Sequence, residues 1–334
     1  MALPQAHLER ILKTVKNYDM VRAGDTVLAA VSGGPDSVFL LHALAGLKKK
    51  LGIRELWVCN LDHCLRGEES EADSGFVKEI SKDLGVGCIH ERIDIRAARK
   101  RGLSTEESAR EERYKFFARA AKRCGAGVVA TGHTLDDQAE TVLMRIVKGT
   151  ALKGMAGIAP VREEGAIRVI RPLIELEKSE IKDCLDKKGV PYRIDSTNVE
   201  PVYFRNVVRS EIIPFLEKYN PRLKRSLSNL AEHLREDLEF INEEKAKARE
   251  GKIGSRNGRL TIKLKDLVVQ PKALQKEILR DMLGQIGGEV KKLSFRHWKE
   301  IEHFIRYNRK GNALDLPGGV RLERTGETLE FYLL

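Results

Sequence analysis

Two short segments concentrate the residue types that phosphate and amine chemistry need. Ser32-Gly33-Gly34-Pro35-Asp36-Ser37 follows an apolar run and precedes a helical pattern. Adjacent glycines let backbone N–H groups approach an anion closely, and a helix N-terminus adds positive potential. Ser32 and Ser37 supply hydroxyl donors. Asp36 can hold Mg2+ against a pyrophosphate, because Mg2+ prefers carboxylate, water and phosphate oxygens. A Ser-Gly-Gly turn also serves as an ordinary tight turn. Its place between a strand and a helix favours the anion site. Neither G-x-x-x-x-G-K-[ST] nor G-x-G-x-x-G occurs, so neither of those nucleotide loops is expected.

The second segment is Thr131-Gly132-His133-Thr134-Leu135-Asp136-Asp137-Gln138-Ala139-Glu140-Thr141. Asp136, Asp137 and Glu140 crowd a helix start, and Asp137 and Glu140 share one helix face. The helix dipole alone accounts for any one of them. As a cluster they suit an amine substrate, since carboxylates hold ammonium groups and can take up their protons. Three weaker sites complete the inventory. His63 and Arg66 lie in a polar loop after a strand. Arg110 and Arg113 share a face within Glu107–Phe117 and can clamp phosphate. Arg205 and Arg209, four apart, can reach phosphate or an RNA backbone. Each of these also reads as plain solvated surface.

The elements needed to position these residues are legible. Apolar, β-compatible runs at Asp25–Val31, Glu55–Asn60, Gly87–Ile93 and Val128–Thr131 predict strands. Helical patterns at Val38–Lys50, Glu69–Leu84, Glu106–Cys124 and Leu135–Lys148 alternate with them. That alternation predicts an α/β fold, a doubly wound parallel sheet covered on both faces. Ligands then bind at the C-terminal ends of the strands, where both segments fall. Arg171–Leu173 is expected as a further strand and Glu177–Lys188 as a helix. From about Pro214 the pattern turns long, charged and helical, with a break at Pro221. A strand at Leu260–Leu264, helices at Lys272–Ile286 and Phe295–Asn308, and a hairpin of Val320–Glu323 with Leu329–Tyr332 follow. The expected division is a catalytic domain at 1–214 and, at 215–334, a smaller, mainly helical domain that ends in the hairpin.

Sixty Lys and Arg against 49 Asp and Glu give the 334-residue chain a net charge of +11, which favours polyanionic partners. No run approaches the roughly 20 apolar residues of a membrane helix, and the basic, amphipathic start does not read as a signal peptide. A cytoplasmic protein without membrane partners is expected. The five cysteines, an odd number without CxxC spacing, read as reduced, buried thiols.

The Ser32–Ser37 segment resembles the pyrophosphate loop of the PP-loop ATP pyrophosphatases. Asn60–Gly67, Glu107–Phe117, Gly132–Thr141 and Asp195–Arg209, with Arg171-Pro172-Leu173 between the last two, resemble in order the segments of the tRNA(Ile)-lysidine synthase family. The resemblance runs from Asp25 to Pro214. It implies ATP held by Ser32–Ser37, His63, Arg66 and His133, with Mg2+ on Asp36. Asp36 and Asp137 would be catalytic, Asp137 as the base-like residue, and Asp137 and Glu140 would hold free lysine. Arg110, Arg113, Arg205 and Arg209 would meet phosphate or tRNA. The implied reaction adenylates the wobble cytidine of a CAU-anticodon isoleucine tRNA and displaces AMP with lysine. Such an enzyme is a ligase, and a homodimer is admitted. A PP-loop tRNA thiolase is the alternative.

Overall fold

The fold was read from a computed structural model, which describes residues 3–62, 68–94, 105–193, 204–288, 290–307 and 311–334. The chain divides into two compact units, Met1–Leu234 and Arg235–Leu334.

The first unit is a six-stranded sheet in the order β3-β2-β1-β4-β6-β5. The strands are β1 Thr26–Ala30, β2 Glu55–Asp62, β3 Gly87–Arg92, β4 Val128–Ala130, β5 Val161–Glu164 and β6 Ile167–Ile170. β1 pairs in parallel with β2 and β4, and β4 with β6. β1 is central and almost wholly buried, as parallel strands covered on both faces are. Alternate β1 side chains part to opposite sides. Val27 and Ala29 pack with α1 Gln5–Asn17, α2 Pro35–Leu47 and the helix Lys178–Lys188. Leu28 packs with Phe116, Phe117, Ala120 and Val129 on the side of Thr105–Cys124. This is the doubly wound arrangement. Its strand order reverses between β1 and β4, which makes their C-terminal ends the switch point where ligands bind.

α2 is apolar around most of its circumference, with Val38, Phe39, Leu40, Leu41, Leu44 and Leu47 all buried. Each such side chain contributes roughly 2 kcal/mol when taken from water. The helix that starts at the glycine loop is therefore anchored along its length.

Two expectations are corrected in this unit. The strand expected at Arg171–Leu173 lies just upstream, at Ile167–Ile170, and Arg171 follows it. The sheet is also not wholly parallel, because β5 adds an antiparallel edge through the tight turn at Gly165.

The second unit holds a five-stranded sheet, β7-β8-β11-β10-β9. Its strands are β7 Ile253–Arg256, β8 Arg259–Lys263, β9 Ala313–Leu316, β10 Val320–Thr325 and β11 Thr328–Leu333. The expected hairpin is β10–β11, paired from Val320↔Leu333 to Thr325↔Thr328. It is not an isolated hairpin, because β8 and β9 extend it on either side. Leu322, Leu329 and Phe331 pack with Ile278 and Met282 of Lys272–Gln285 and with Trp298 and Phe304 of Phe295–Tyr307. A single helix, Leu223–Arg249, runs from the first unit into the second.

Candidate active site

The glycine loop closes β1 onto α2. Gly33 has φ +93°, a region that side chains seldom adopt. Gly34 caps the helix and Pro35 opens it, a first position where the missing N–H costs nothing. The loop ties itself together: the Ser37 hydroxyl donates to Gly34 O at 2.8 Å and accepts from Ser32 N at 3.2 Å. Arg193 N donates to Gly33 O at 2.9 Å.

The second segment leaves β4 and starts the helix Leu135–Val147. Thr134 caps it reciprocally: its hydroxyl accepts from Asp137 N, while Asp137 Oδ2 accepts from Thr134 N and Oγ1, both at 2.9 Å. The two loops touch. A Cβ on Gly132 would stand 3.1 Å from the Asp36 carbonyl carbon and 3.2 Å from Ser37 N. Asp36 and Asp137 are thus gathered at the switch point, as expected.

Cations the sequence reading did not assign to this cluster meet its carboxylates. Lys178 Nζ lies 2.8 Å from Asp137 Oδ1, and Lys178 N donates to Asp136 Oδ2 at 2.8 Å. Lys224, at the start of the long helix, places Nζ 2.9 Å from Asp136 Oδ1. Glu140 is 1% exposed. Arg209 grips both its oxygens, through Nε at 2.6 Å and Nη2 at 3.0 Å. Arg209 belongs to a π-helical turn, Val208–Ile212, a bulge that often marks functional sites. Ala139, Val142 and Leu143 pack against Val208, Ile213, Leu227 and Ala231, which fixes that turn and the long helix beside the carboxylates.

Charge at the site is unevenly balanced. Burial raises the Asp36 carboxyl to about 6; Lys178 opposes the rise, and Asp137 and Asp136 add to it. Burial would also raise Asp137, but the Lys178 ammonium and hydrogen bonds overcome it and hold the group at about 2. His133 accepts from or donates to Thr131 Oγ1 at 2.9 Å. Burial, with Arg171, Arg113 and Arg110 nearby, lowers His133 to about 4, so it is neutral at pH 7.

The expected arginines fall into two groups. Arg110 and Arg113 reach the surroundings of His133, and Arg110 stacks 5.1 Å from the Tyr114 ring centre. Arg205 lies near Arg145, whereas Arg209 is spent on Glu140. His63 and Arg66 lie outside the described residues, as does the Asp195–Asn198 segment. Cys59 and Cys184 are core residues, and burial pushes the Cys59 thiol well up. No helix among the described residues is long and apolar enough to cross a membrane.

Fold and loop together define a class. The family model of the PP-loop domain matches residues 4–216. A U34-tRNA thiolase from Methanococcus maripaludis, solved with its [4Fe-4S] cluster, shares the fold at 20% identity and a TM-score of 0.57, over 68% of this chain and 78% of that one. The tRNA(Ile)-lysidine synthase of Clostridium perfringens strain 13 is 36% identical over 93% of this chain and 66% of its own length. That of Clostridioides difficile is 33% identical over 96% and 69%. The chain belongs to the PP-loop proteins and, among them, to the tRNA(Ile)-lysidine synthase family. It spans about two thirds of the length of these curated relatives.

Proposed function

We propose that the chain makes lysidine: it uses ATP to adenylate the C2 oxygen of the wobble cytidine in a CAU-anticodon isoleucine tRNA, releasing pyrophosphate. The ε-amine of free lysine then displaces AMP, and the altered tRNA changes identity from methionine to isoleucine. The observation that carries the proposal is the close approach of the Gly132 turn, which leads into the helix bearing Asp136, Asp137 and Glu140, to the glycine loop. A phosphate site and an amine site are thereby neighbours. A carbonyl oxygen is a poor leaving group until it is adenylated, so the two sites must serve one carbonyl: its oxygen is adenylated, then its carbon takes the amine as AMP leaves with the oxygen.

The loop's N–H groups and hydroxyls would bind the triphosphate. Asp36 fits a Mg2+ ligand: its carboxyl is desolvated, raised by neighbouring carboxylates, and without a hydrogen bond among the described residues. Bound there, Mg2+ would neutralise pyrophosphate charge as it develops. With Lys178 beside it, Asp137 is a counter-ion for ammonium rather than a proton acceptor, because a carboxyl held at about 2 is a weak base at neutral pH. The base-like role expected of it would require that ammonium to be displaced, since burial alone raises the carboxyl. Neutral His133 beside the loop would donate to or accept from the nucleotide without adding charge. Arg110, Arg113 and Arg205 would meet tRNA or nucleotide phosphate.

The test is incorporation of labelled lysine into CAU-anticodon isoleucine tRNA with ATP and Mg2+, beside initiator methionine tRNA. Labelling of the first tRNA alone, dependent on ATP, is expected. Pyrophosphate release without labelling would overturn the lysine assignment and turn the search to sulfur donors.

A further inference from the structure

The carboxylate oxygens that would receive a substrate amine are already occupied from within the protein. Asp137 Oδ2 is committed to the Thr134 amide and hydroxyl. Its other oxygen, Oδ1, holds the Lys178 ammonium at 2.8 Å, with Arg209 a further 3.9 Å away. Both Glu140 oxygens are held by the Arg209 fork. An incoming ammonium must therefore compete with an internal cation for each of these carboxylate charges.

Of the two, Lys178 is the one built to move. Arg209 makes two parallel bonds to a carboxylate with 1% exposure, and such planar forks are preorganised and hard to exchange. Lys178 makes one ammonium contact, at 2.8 Å, on a flexible four-carbon stem, with no second parallel bond to lose when it leaves. Its backbone stays pinned by the bond from its N–H to Asp136, so only the side chain need swing. A second anion site lies within its field. Asp36, on the glycine loop, is among the charges that Lys178 feels, and the loop abuts the Gly132 turn. A triphosphate on that loop would present a larger negative charge than Asp137 alone.

We propose that Lys178 is the resident stand-in for the substrate amine, a positioning residue that holds Asp137 until nucleotide binds and then passes to the phosphates, freeing Asp137 Oδ1 for the amine. This makes binding ordered, nucleotide before lysine, and it keeps the pocket from filling with amine when there is nothing to attack. The inference rests on the proposed lysine chemistry.

Equilibrium dialysis of labelled lysine against the full chain tests it, with and without α,β-methylene-ATP and Mg2+, analogue binding being measured in the same samples. In the unaltered protein the analogue should tighten lysine binding at least about tenfold. In Lys178→Met, lysine should bind tightly without the analogue, and the difference should shrink to about twofold or less. Lys178→Arg, whose fork keeps a cation on Asp137 and exchanges less readily, should leave lysine binding weak without the analogue. Lys178→Gln serves in place of the methionine variant should that one not fold. Coupling unchanged in the methionine or glutamine variant overturns the proposal, as does an equal loss of lysine binding in both conditions. Those results leave lysidine synthesis standing. Analogue bound but no lysine taken up by any form overturns the lysine reading itself, and the stand-in role with it.

Discussion

Asp36 holds the sharpest conflict between burial and charge at the glycine loop. Its ordinary value of 3.8 rises to about 6 in the folded protein. A carboxyl with a raised folded value destabilises the fold as it ionises. That cost is absent below about pH 4, grows as pH rises from 3.8 through 6, and is complete above. Asp36→Asn should therefore stabilise the ligand-free protein by about 1–3 kcal/mol at pH 7.5 and by little at pH 3.5, while abolishing ATP-dependent turnover. Thermal unfolding at the two pH values checks this, and a melting temperature unmoved at pH 7.5 would show that Asp36 is solvated. The loop and carboxylate residues were legible because each segment brings its own chemistry and sits at a strand end. Lys178 and Arg209 were not legible as partners, since 41 positions separate Lys178 from Asp137 and 69 separate Arg209 from Glu140. One local signal did exist. Lys178 is the first residue of its helix, where a cation opposes the dipole, and a residue placed against that rule needs an anion elsewhere.

At the scale of elements, the site depends on two loops held edge to edge. Gly132 has no side chain where one would meet backbone of the glycine loop, at 3.1–3.2 Å from Asp36 and Ser37 atoms. Backbone at the start of a buried helix yields less than a flexible side chain. Gly132→Ala should push the two loops apart by a few tenths of an ångström and raise the KM for ATP about tenfold, with a smaller effect on stability, since geometry at this scale governs catalysis. Steady-state kinetics with tRNA and lysine saturating gives the answer; an unchanged KM would mean that the loops are not mechanically coupled. The parallel core was readable because strands buried on both faces show as continuous apolar runs. β5, β7 and β9 escaped because they are edge strands, short and charged, as in the β5 sequence Val-Arg-Glu-Glu, which is how edges avoid unwanted pairing. Their pairing is decided by partners distant in sequence.

For the molecule as a whole, the net charge of +11 bears on affinity rather than on chemistry. If lysidine synthesis on tRNA is the activity, much of the binding energy comes from releasing counter-ions from RNA phosphates, and that contribution weakens as salt rises. With about five phosphates neutralised, the tRNA dissociation constant should rise on the order of a hundredfold between 50 and 200 mM salt. Lysine binding, confined to the buried carboxylates Asp137 and Glu140, should change only severalfold, because buried pairs are screened far less. Filter binding of isoleucine tRNA across that range, beside lysine dialysis in the same buffers, separates the two. A tRNA affinity that changes less than about threefold would place recognition in base and shape contacts instead of the phosphate backbone. The basic excess would then be a matter of solubility, and Arg110, Arg113 and Arg205 would be left to serve the nucleotide.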